Sequence, residues 1–231
     1  MNGFDAAGLT FFNQIAFEYP LFDSMVVGLS QFHLFKGVIL VGILWYVWFQ
    51  PEHRDDRNRE IVIVSILSAV IGLAIARVMV YTLPFRTRPA YNEALPLRYP
   101  EGDPTQYLED LSAFPSDHAV MWFTVAFGIF LISRRAGIFA MLYTAIFISI
   151  PRIYLGLHHP TDIIGGAAIG IVLVMMASTS SVRQRIAGPA MYWARRHPPS
   201  FYLVSFILSY LLTTHFHEVK SILQALLRML R

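Results

Sequence analysis

The sequence has 231 residues, of which 55% are hydrophobic and only 14% are charged, and its net charge is +3. Soluble domains carry about 25% charged residues, so this composition excludes an ordinary soluble domain, and arginines scattered over many joints do not indicate nucleic-acid binding. The absence of cysteine excludes disulfides, thiolate zinc sites and thiol catalysis.

The chain begins with a predicted amphipathic helix over residues 4–16. Apolar and small residues recur there at helical spacing, namely Phe4, Gly8, Phe11, Phe12 and Ile15. This pattern is typical of a helix that lies in the membrane interface. No basic region precedes it, so we do not expect a cleaved signal peptide. The next apolar stretch, 21–31, is short, and the sequence leaves open whether it crosses the membrane.

Longer apolar runs with short polar joints follow, and a run of roughly 17–25 residues is long enough to cross a bilayer. They predict six transmembrane spans, at about 33–50, 61–83, 116–133, 137–153, 160–180 and 200–215. The tail then places four polar residues on one helical stripe, Lys220, Gln224, Arg228 and Arg231. The predicted fold is therefore an all-α integral membrane protein, a six-transmembrane-helix bundle with interfacial amphipathic helices at both ends.

We expect a single membrane-embedded domain over residues 1–231. Its three parts are an N-terminal interfacial segment, a helical core, and a C-terminal part with the last span and tail, at 1–32, 33–182 and 183–231.

The orientation of the bundle follows from its arginines. Nine of them fall in three joints, 51–60, 134–135 and 183–198. By the positive-inside rule these joints face the cytoplasm. Loops 85–114 and 152–160 then both face outside, because two crossings separate them.

Three segments on that outer face carry the candidate functional residues. They are Arg77, Arg86, Arg88, Ser116, Asp117, His118, Arg152, His158, His159 and Asp162. Arginines are costly near a bilayer, so a cluster of them indicates an anionic partner. The planar guanidinium donates two parallel hydrogen bonds to phosphate. A predicted helix start at Ser116 adds backbone N–H groups, which also bind phosphate.

His158 and Asp162 lie four residues apart at the start of the fifth span. A carboxylate within reach of one imidazole nitrogen fixes the tautomer and raises the nucleophilicity of the other nitrogen. A second histidine, His118, is suited to protonate a leaving oxygen and then to activate water. We therefore interpret the set as a site for phosphoryl transfer through a phosphohistidine. A serine nucleophile would leave the arginines and His158 unexplained.

These motifs resemble the three-part signature of the type 2 phosphatidic acid phosphatase family. The matching residues are Arg88-Pro89, then Pro115-Ser116-Asp117-His118, then Arg152, His158 and Asp162 at fixed spacing. The resemblance implies a lipid phosphatase that needs no metal or other cofactor and has a membrane lipid phosphate and the bilayer as its partners. It also implies a multi-pass protein of the bacterial plasma membrane, with its active site facing the periplasm or the cell exterior.

The resemblance further implies a role for each matching residue. His158 would be the nucleophile, Asp162 would orient it, and His118 would be the general acid and base. The phosphate would be held by Arg88, Arg152 and Ser116.

The sequence departs from the family pattern at three positions. The lysine that opens the first motif is Tyr81 here, and we expect Arg86, or Arg77 deeper in the span, to supply the missing charge. The serine before the third-motif arginine is Pro151. The usual Ser-Gly-His contains Asp117 instead, which resembles undecaprenyl pyrophosphate phosphatases of the bacitracin-resistance type. Asp117 therefore joins the candidate phosphate-site residues and favours a polyprenyl diphosphate substrate.

Several alternatives stay open at this point. Phosphatidic acid, phosphatidylglycerol phosphate or a lipid A phosphate could be the substrate. A non-hydrolytic lipid-phosphate binder or translocase could use the same pocket. Five acidic residues of the outer loop fit a solvated loop better than a cation site, namely Glu93, Glu101, Asp103, Glu109 and Asp110.

Overall fold

The computed structural model describes residues 2–50, 56–92, 94–95, 97–98 and 112–216. These residues form ten α-helices and no strand. The helices are α1 (Gly3–Ile15), α2 (Pro20–Gln31), α3 (His33–Trp48), α4 (Arg57–Thr82), α5 (Asp117–Ile132), α6 (Arg134–Tyr143), α7 (Ile150–Tyr154), α8 (Pro160–Ala177), α9 (Ser180–Arg196) and α10 (Pro198–Thr213). A π-helical segment, Thr144–Ser149, joins α6 to α7, and a short 3-10 helix, Pro89–Tyr91, lies between α4 and α5.

The predicted helical membrane architecture is confirmed, and a helix lies at each predicted span. Three helices are long and apolar enough to cross a membrane, namely α4, the continuous stretch Arg134–Tyr154, and α8. The pair Pro20–Gln31 and Phe35–Trp48 passes the same test together, with a bend of 54° between its halves. The apolar helices α5 and α10 have 16 residues each, a rise of about 24 Å against a hydrocarbon core of about 30 Å. The count of six spans therefore stays a prediction.

Helix α5 occupies the centre of the bundle. It packs against α4, α6 and α8, and its large residues Met121 and Trp122 are completely buried or nearly so. A helix that is apolar on all sides is expected in the interior. This central position fixes the start of α5, and with it the Pro-Ser-Asp-His motif, against neighbouring helices on several sides.

Two glycines of α8 allow its backbone to approach α5 closely. A Cβ atom on Gly166 would lie 2.7 Å from the carbonyl oxygen of Ser116. A Cβ atom on Gly170 would meet the carbonyl oxygen of Val120 and lie 2.6 Å from Oγ1 of Thr124. The second and third turns of α8 are therefore in direct contact with the first two turns of α5.

Most of the predicted basic joint, 183–198, forms helix α9. Ala187 and Met191, four residues apart, are buried on one face of this helix. Its basic residues bind acidic residues near the start of α4: Arg183 contacts Glu60 at 2.9 Å, and Arg195 pairs with Asp56. These pairs define a basic end of the bundle. It lies away from Arg77, because 17 positions of α4, or about 26 Å along the helix, separate Glu60 from Arg77.

The N-terminal helix α1 is present at the predicted position, and α2 covers the stretch 21–31. On α1, Phe4 and Phe11 are exposed, whereas Asp5 and Leu9 are buried. Its interfacial location stays a prediction. The predicted amphipathic tail and the five acidic residues of the outer loop lie outside the described residues.

The α5–α8 contact leads to a prediction about packing. Gly170→Ala should destabilise the protein by about 1–3 kcal/mol, because the added methyl group overpacks the interface. Gly42→Ala is the matched control, since nothing lies within 4 Å of its Cβ position and alanine favours the helix by about 0.5–1 kcal/mol. Thermal unfolding in one detergent compares the two variants. A Gly170→Ala midpoint at or above that of Gly42→Ala would contradict the close approach.

Candidate active site

The three motif segments meet at one end of the bundle, where α4 and α7 end and α5 and α8 begin. Backbone hydrogen bonds join them directly: Ala113 N–H donates to the carbonyl of Arg86 at 2.8 Å, and Ser116 N–H donates to the carbonyl of Asp162 at 3.2 Å. The N–H of Ala90 donates to the carbonyl of Gly156 at 2.9 Å. Residues predicted from separate stretches of sequence thus share one rigid backbone frame.

His158 lies in the turn between α7 and α8. Gly156 has a φ of 66°, a left-handed conformation that glycine adopts without strain, and the N–H groups of Leu157 and His158 both donate to the carbonyl of Arg152. The Nδ1 atom of His158 is 2.8 Å from the carbonyl oxygen of Ala113. Because that oxygen can only accept, Nδ1 carries the hydrogen and Nε2 carries the lone pair.

The environment keeps His158 neutral. Burial lowers the pKa of His158, and the positive charge of Arg88 lowers it further, to about 3. The Nη1 atom of Arg88 is 3.4 Å from Nε2 of His158. A neutral imidazole with its lone pair on Nε2 is the form that can attack phosphorus.

Arg88 is buried and fixed by backbone oxygens. Its guanidinium donates to the carbonyl of Leu157 at 2.8 Å and to that of Ser112 at 3.4 Å. Burial lowers the pKa of Arg88, while Asp117 raises it and Arg152 lowers it, so both groups act on Arg88 electrostatically. The two predicted phosphate-binding arginines, Arg88 and Arg152, are therefore close enough for their positive charges to interact.

The second histidine, His118, contacts Arg152 and Asp117. Its Nε2 is 2.6 Å from Nη2 of Arg152, and its Nδ1 is 2.9 Å from Oδ1 of Asp117. The carboxylate accepts the Nδ1 hydrogen, so Nε2 carries the lone pair and accepts a hydrogen bond from Arg152. Arg152 also donates to the hydroxyl of Ser30 at 3.3 Å.

Ser116 is the N-cap of α5 and is completely buried. Its hydroxyl has no hydrogen-bond partner among the described residues. A buried polar group without a partner costs about 1–3 kcal/mol. The hydroxyl is therefore a candidate donor to a bound anion, whereas the backbone N–H of Ser116 is already used by Asp162.

Asp162 lies 3.9 Å from His158, measured from Oδ2 to Nδ1, which is too far for a hydrogen bond. Its carboxylate instead accepts from the backbone N–H of His159 at 2.7 Å and contacts the ring Nδ1 of His159 at 3.1 Å. The predicted direct contact is thus replaced by the carbonyl of Ala113. An orienting role for Asp162 stays a prediction, exerted through its charge and through the turn that it caps.

Arg86 forms a clamp between two carboxylates. Its guanidinium pairs with Asp162 and, at 2.6 Å, with Asp5 of α1. Asp5 also accepts from the backbone N–H and the hydroxyl of Thr161, at 2.9 and 2.8 Å. Burial raises the pKa of Asp5, but these hydrogen bonds lower it by more, so the pKa lies below its ordinary value.

The other predicted substitute for the missing lysine, Arg77, pairs with Asp117. Tyr81, at the lysine position itself, is exposed. The phosphate roles of Arg86 and Arg77 stay predictions.

Four residues around the site were not among the predicted site residues: Asp5, Ser30, Lys36 and His215. Lys36 is buried and contacts the carbonyl of Ser30. A lysine inside an apolar span is itself a signal of function, and so is a carboxylate among the phenylalanines of α1. No local pattern identifies Ser30 or His215.

Comparison with known proteins identifies related sequences. A family model described as the PAP2 superfamily matches residues 83–186. The chain is 26% identical over 166 residues to the bacitracin transport permease protein BcrC of Bacillus licheniformis, covering 70% of this chain and 73% of the relative. It is 30% identical over 146 residues to an undecaprenyl-diphosphatase of Sulfolobus acidocaldarius, covering 60% of this chain and 68% of the relative.

A solved structure also resembles the chain. It is a transmembrane PAP2 type phosphatidylglycerolphosphate phosphatase from Bacillus subtilis, 20% identical, with a TM-score of 0.47. The alignment covers 76% of this chain and 85% of that protein.

The clamp at Arg86 predicts energetic coupling between α1 and the site. Asp5→Asn and Arg86→Gln should each destabilise the protein, and the double variant should lose less than their sum, by about 0.5–3 kcal/mol. Unfolding in detergent measures the cycle. The exposed pair Arg195–Asp56 is the control and should couple by less than about 1 kcal/mol. Additive effects at Asp5 and Arg86 would show that the clamp contributes nothing.

The burial of His158 predicts its charge state. With a pKa near 3, His158 should stay neutral at pH 5, where a histidine with the ordinary pKa of about 6.5 is mostly protonated. Nitrogen NMR of histidine-labelled protein in detergent reports this directly. Arg88→Leu should raise the pKa of His158 but leave it below 6.5, since burial remains. A midpoint near 6.5 in the unmodified protein would contradict the assignment.

Proposed function

This chain belongs to the PAP2 superfamily and is a phosphatase, and on that basis we propose that it hydrolyses undecaprenyl pyrophosphate to undecaprenyl phosphate and inorganic phosphate. The observation that carries the proposal is a pair of buried histidine–arginine contacts at one end of an apolar helical bundle. His158 lies beside Arg88, and His118 lies beside Arg152. One histidine serves as nucleophile and the other as proton carrier.

Arg88, Arg152 and the hydroxyl of Ser116 bind the terminal phosphoryl group. Two guanidinium groups neutralise its charge, and their hydrogen bonds strengthen as negative charge develops in the transition state. Phosphoryl transfer depends mainly on such positioned positive charge. The positions of both guanidiniums are fixed by hydrogen bonds to neighbouring groups, which reduces reorganisation during the reaction.

In the first step, Nε2 of His158 attacks the terminal phosphorus. A P–N bond forms while the bond from phosphorus to the bridging oxygen breaks. His118 takes up a proton on Nε2 when Arg152 turns to the bound phosphate, and gives that proton to the bridging oxygen as undecaprenyl phosphate leaves. The hydrogen bond from Nδ1 of His158 to Ala113 supports this assignment, because it holds the lone pair on Nε2.

In the second step, Nε2 of His118 takes a proton from water while the water oxygen attacks phosphorus. The P–N bond breaks, inorganic phosphate leaves, and both histidines return to their starting states. The contact between Nδ1 of His118 and Asp117 supports this role, since a carboxylate stabilises the protonated imidazole. The charge of Asp162 raises the pKa of His158, which counteracts part of the effect of Arg88.

Two features support a polyprenyl diphosphate over other lipid phosphates. Asp117 stands where the family usually has glycine, and the two curated relatives are named for undecaprenyl diphosphate hydrolysis and for bacitracin transport. We further propose that the site faces the periplasm or the cell exterior, because the arginine-rich ends of α4 and α9 lie at the opposite end of the bundle. The polyprenyl chain would then stay in the bilayer beside the helices.

Phosphate release by the purified protein tests the proposal. The panel comprises undecaprenyl pyrophosphate, phosphatidic acid, phosphatidylglycerol phosphate and a lipid A phosphate. We expect the diphosphate to give the highest kcat/KM. His158→Ala should lower the rate at least about 1,000-fold, since it removes the covalent route, and EDTA should have no effect. His197→Ala, at an exposed histidine near the basic end, is the control and should retain full activity.

Each part of the proposal has its own contradicting result. A higher kcat/KM for a monophosphate would overturn the substrate. Activity above a tenth of the original in folded His158→Ala would overturn the nucleophile. Lipid transport without phosphate release would favour a translocase, and loss of activity in EDTA that one added metal restores would favour metal-assisted hydrolysis.

A further inference from the structure

His215 follows the last described helix and lies against the site. It is buried, with 5% of its surface exposed. Its φ is 54° and that of Phe216 is 55°, a left-handed conformation that is uncommon for residues other than glycine. Two such residues in succession carry a conformational cost, and strain of this kind persists where the surrounding structure imposes it.

The imidazole of His215 contacts both polar residues of the second motif. Its Nε2 is 3.2 Å from Oδ2 of Asp117. Its ring stacks on that of His118, with ring centroids 3.9 Å apart and planes inclined by 17°. Asp117 uses its other oxygen, Oδ1, for Nδ1 of His118. The three side chains therefore form a continuous series in which Asp117 bridges two histidines.

We infer that His215 is a positioning residue that holds Asp117 and His118 in the geometry needed for proton transfer. This inference rests on the proposed function for the role of His118. The Nε2–H of His215 donates to Oδ2 of Asp117, and the carboxylate in turn keeps the Nδ1 hydrogen on His118. The stacked ring of His215 limits rotation of His118, so its Nε2 stays directed at Arg152.

Competition for Asp117 explains why the bridge needs a second histidine. Arg77 also pairs with Oδ2 of Asp117. Charge-assisted pairs are stronger than neutral hydrogen bonds, so Arg77 alone would draw the carboxylate towards α4. With His215 on the same oxygen, Oδ2 is held between two donors, and Oδ1 remains directed at His118.

The same three residues have the spacing of a metal site, since their ligand atoms lie within 4.8 Å of one another. Their neighbours oppose that use. Arg77 contacts Asp117, and Arg152 contacts His118. A divalent cation there would face two guanidinium groups at short range, where like charges repel strongly. The electrostatics favour a hydrogen-bonded bridge.

Kinetics of two substitutions test the inference. His215→Leu removes the donor and should lower kcat about 10-fold or more while KM changes less than about 2-fold, because positioned acid–base groups contribute about 100- to 10,000-fold. His215→Gln keeps an N–H donor and should recover most of kcat. His197→Leu is the matched control. In an Asp117→Ala background, His215→Leu should cause no further loss, since its effect passes through Asp117. An equal loss in both backgrounds, or equal kcat for Leu and Gln, would overturn the inference.

A second measurement does not depend on turnover. Nitrogen NMR of histidine-labelled protein should show His118 with its hydrogen on Nδ1 in the unmodified protein and in His215→Gln, and a mixture of tautomers in His215→Leu. An unchanged His118 signal in folded His215→Leu would overturn the inference even if no lipid phosphate were hydrolysed. Absence of phosphate release with the expected NMR change would instead overturn only the proposed function. Broadening of the His118 and His215 signals by added Zn²⁺ at micromolar concentration would favour the metal site.

Discussion

The active-site end of this protein depends on the first turn of α8, and above all on Asp162. This one residue accepts from the backbone of the His158–His159 turn, pairs with Arg86, and offers its carbonyl to Ser116. The second and third motifs are joined through its backbone, and the first is joined through its side chain. Glycines along α8 then bring that turn against α5 closely enough for these hydrogen bonds to form.

Four arginines surround the site, and the structure divides them into two kinds. Arg77 and Arg86 pair with carboxylates and hold helices together. Arg88 and Arg152 hydrogen-bond to carbonyls, a hydroxyl and imidazole rings. Both of these guanidinium groups lie beside the two histidines, where an incoming phosphoryl group would contact them. The residue types alone do not reveal this division, because it depends on which carboxylate each guanidinium reaches.

The features that were predictable from the sequence are those that depend on local patterns of residues. Apolar runs predicted the helices, and short motifs predicted that His118, His158, Arg88 and Arg152 lie together. Contacts between distant segments were not predictable in the same way. Asp5 contacts Thr161, 156 positions away, and His215 contacts Asp117, 98 positions away. Neither Asp5 nor His215 belongs to a motif. The helical conformation of the basic joint was not predicted, because its many charged residues masked the spacing of Ala187 and Met191. The expected hydrogen bond between His158 and Asp162 does not form, because the turn at Gly156 places Nδ1 of His158 next to the carbonyl of Ala113.

The buried carboxylate of Asp5 has a consequence for how the protein is made. Helix α1 leaves the ribosome before its partners Arg86 and Thr161, which are synthesised only after several further helices. Until then, Asp5 must remain in water or at the lipid headgroups, because a lone carboxylate is expensive to bury. His215 arrives later still. During synthesis, the site residues are therefore apart until the late segments pack. A chain that ends before His215 would contain all three motifs but not the complete site.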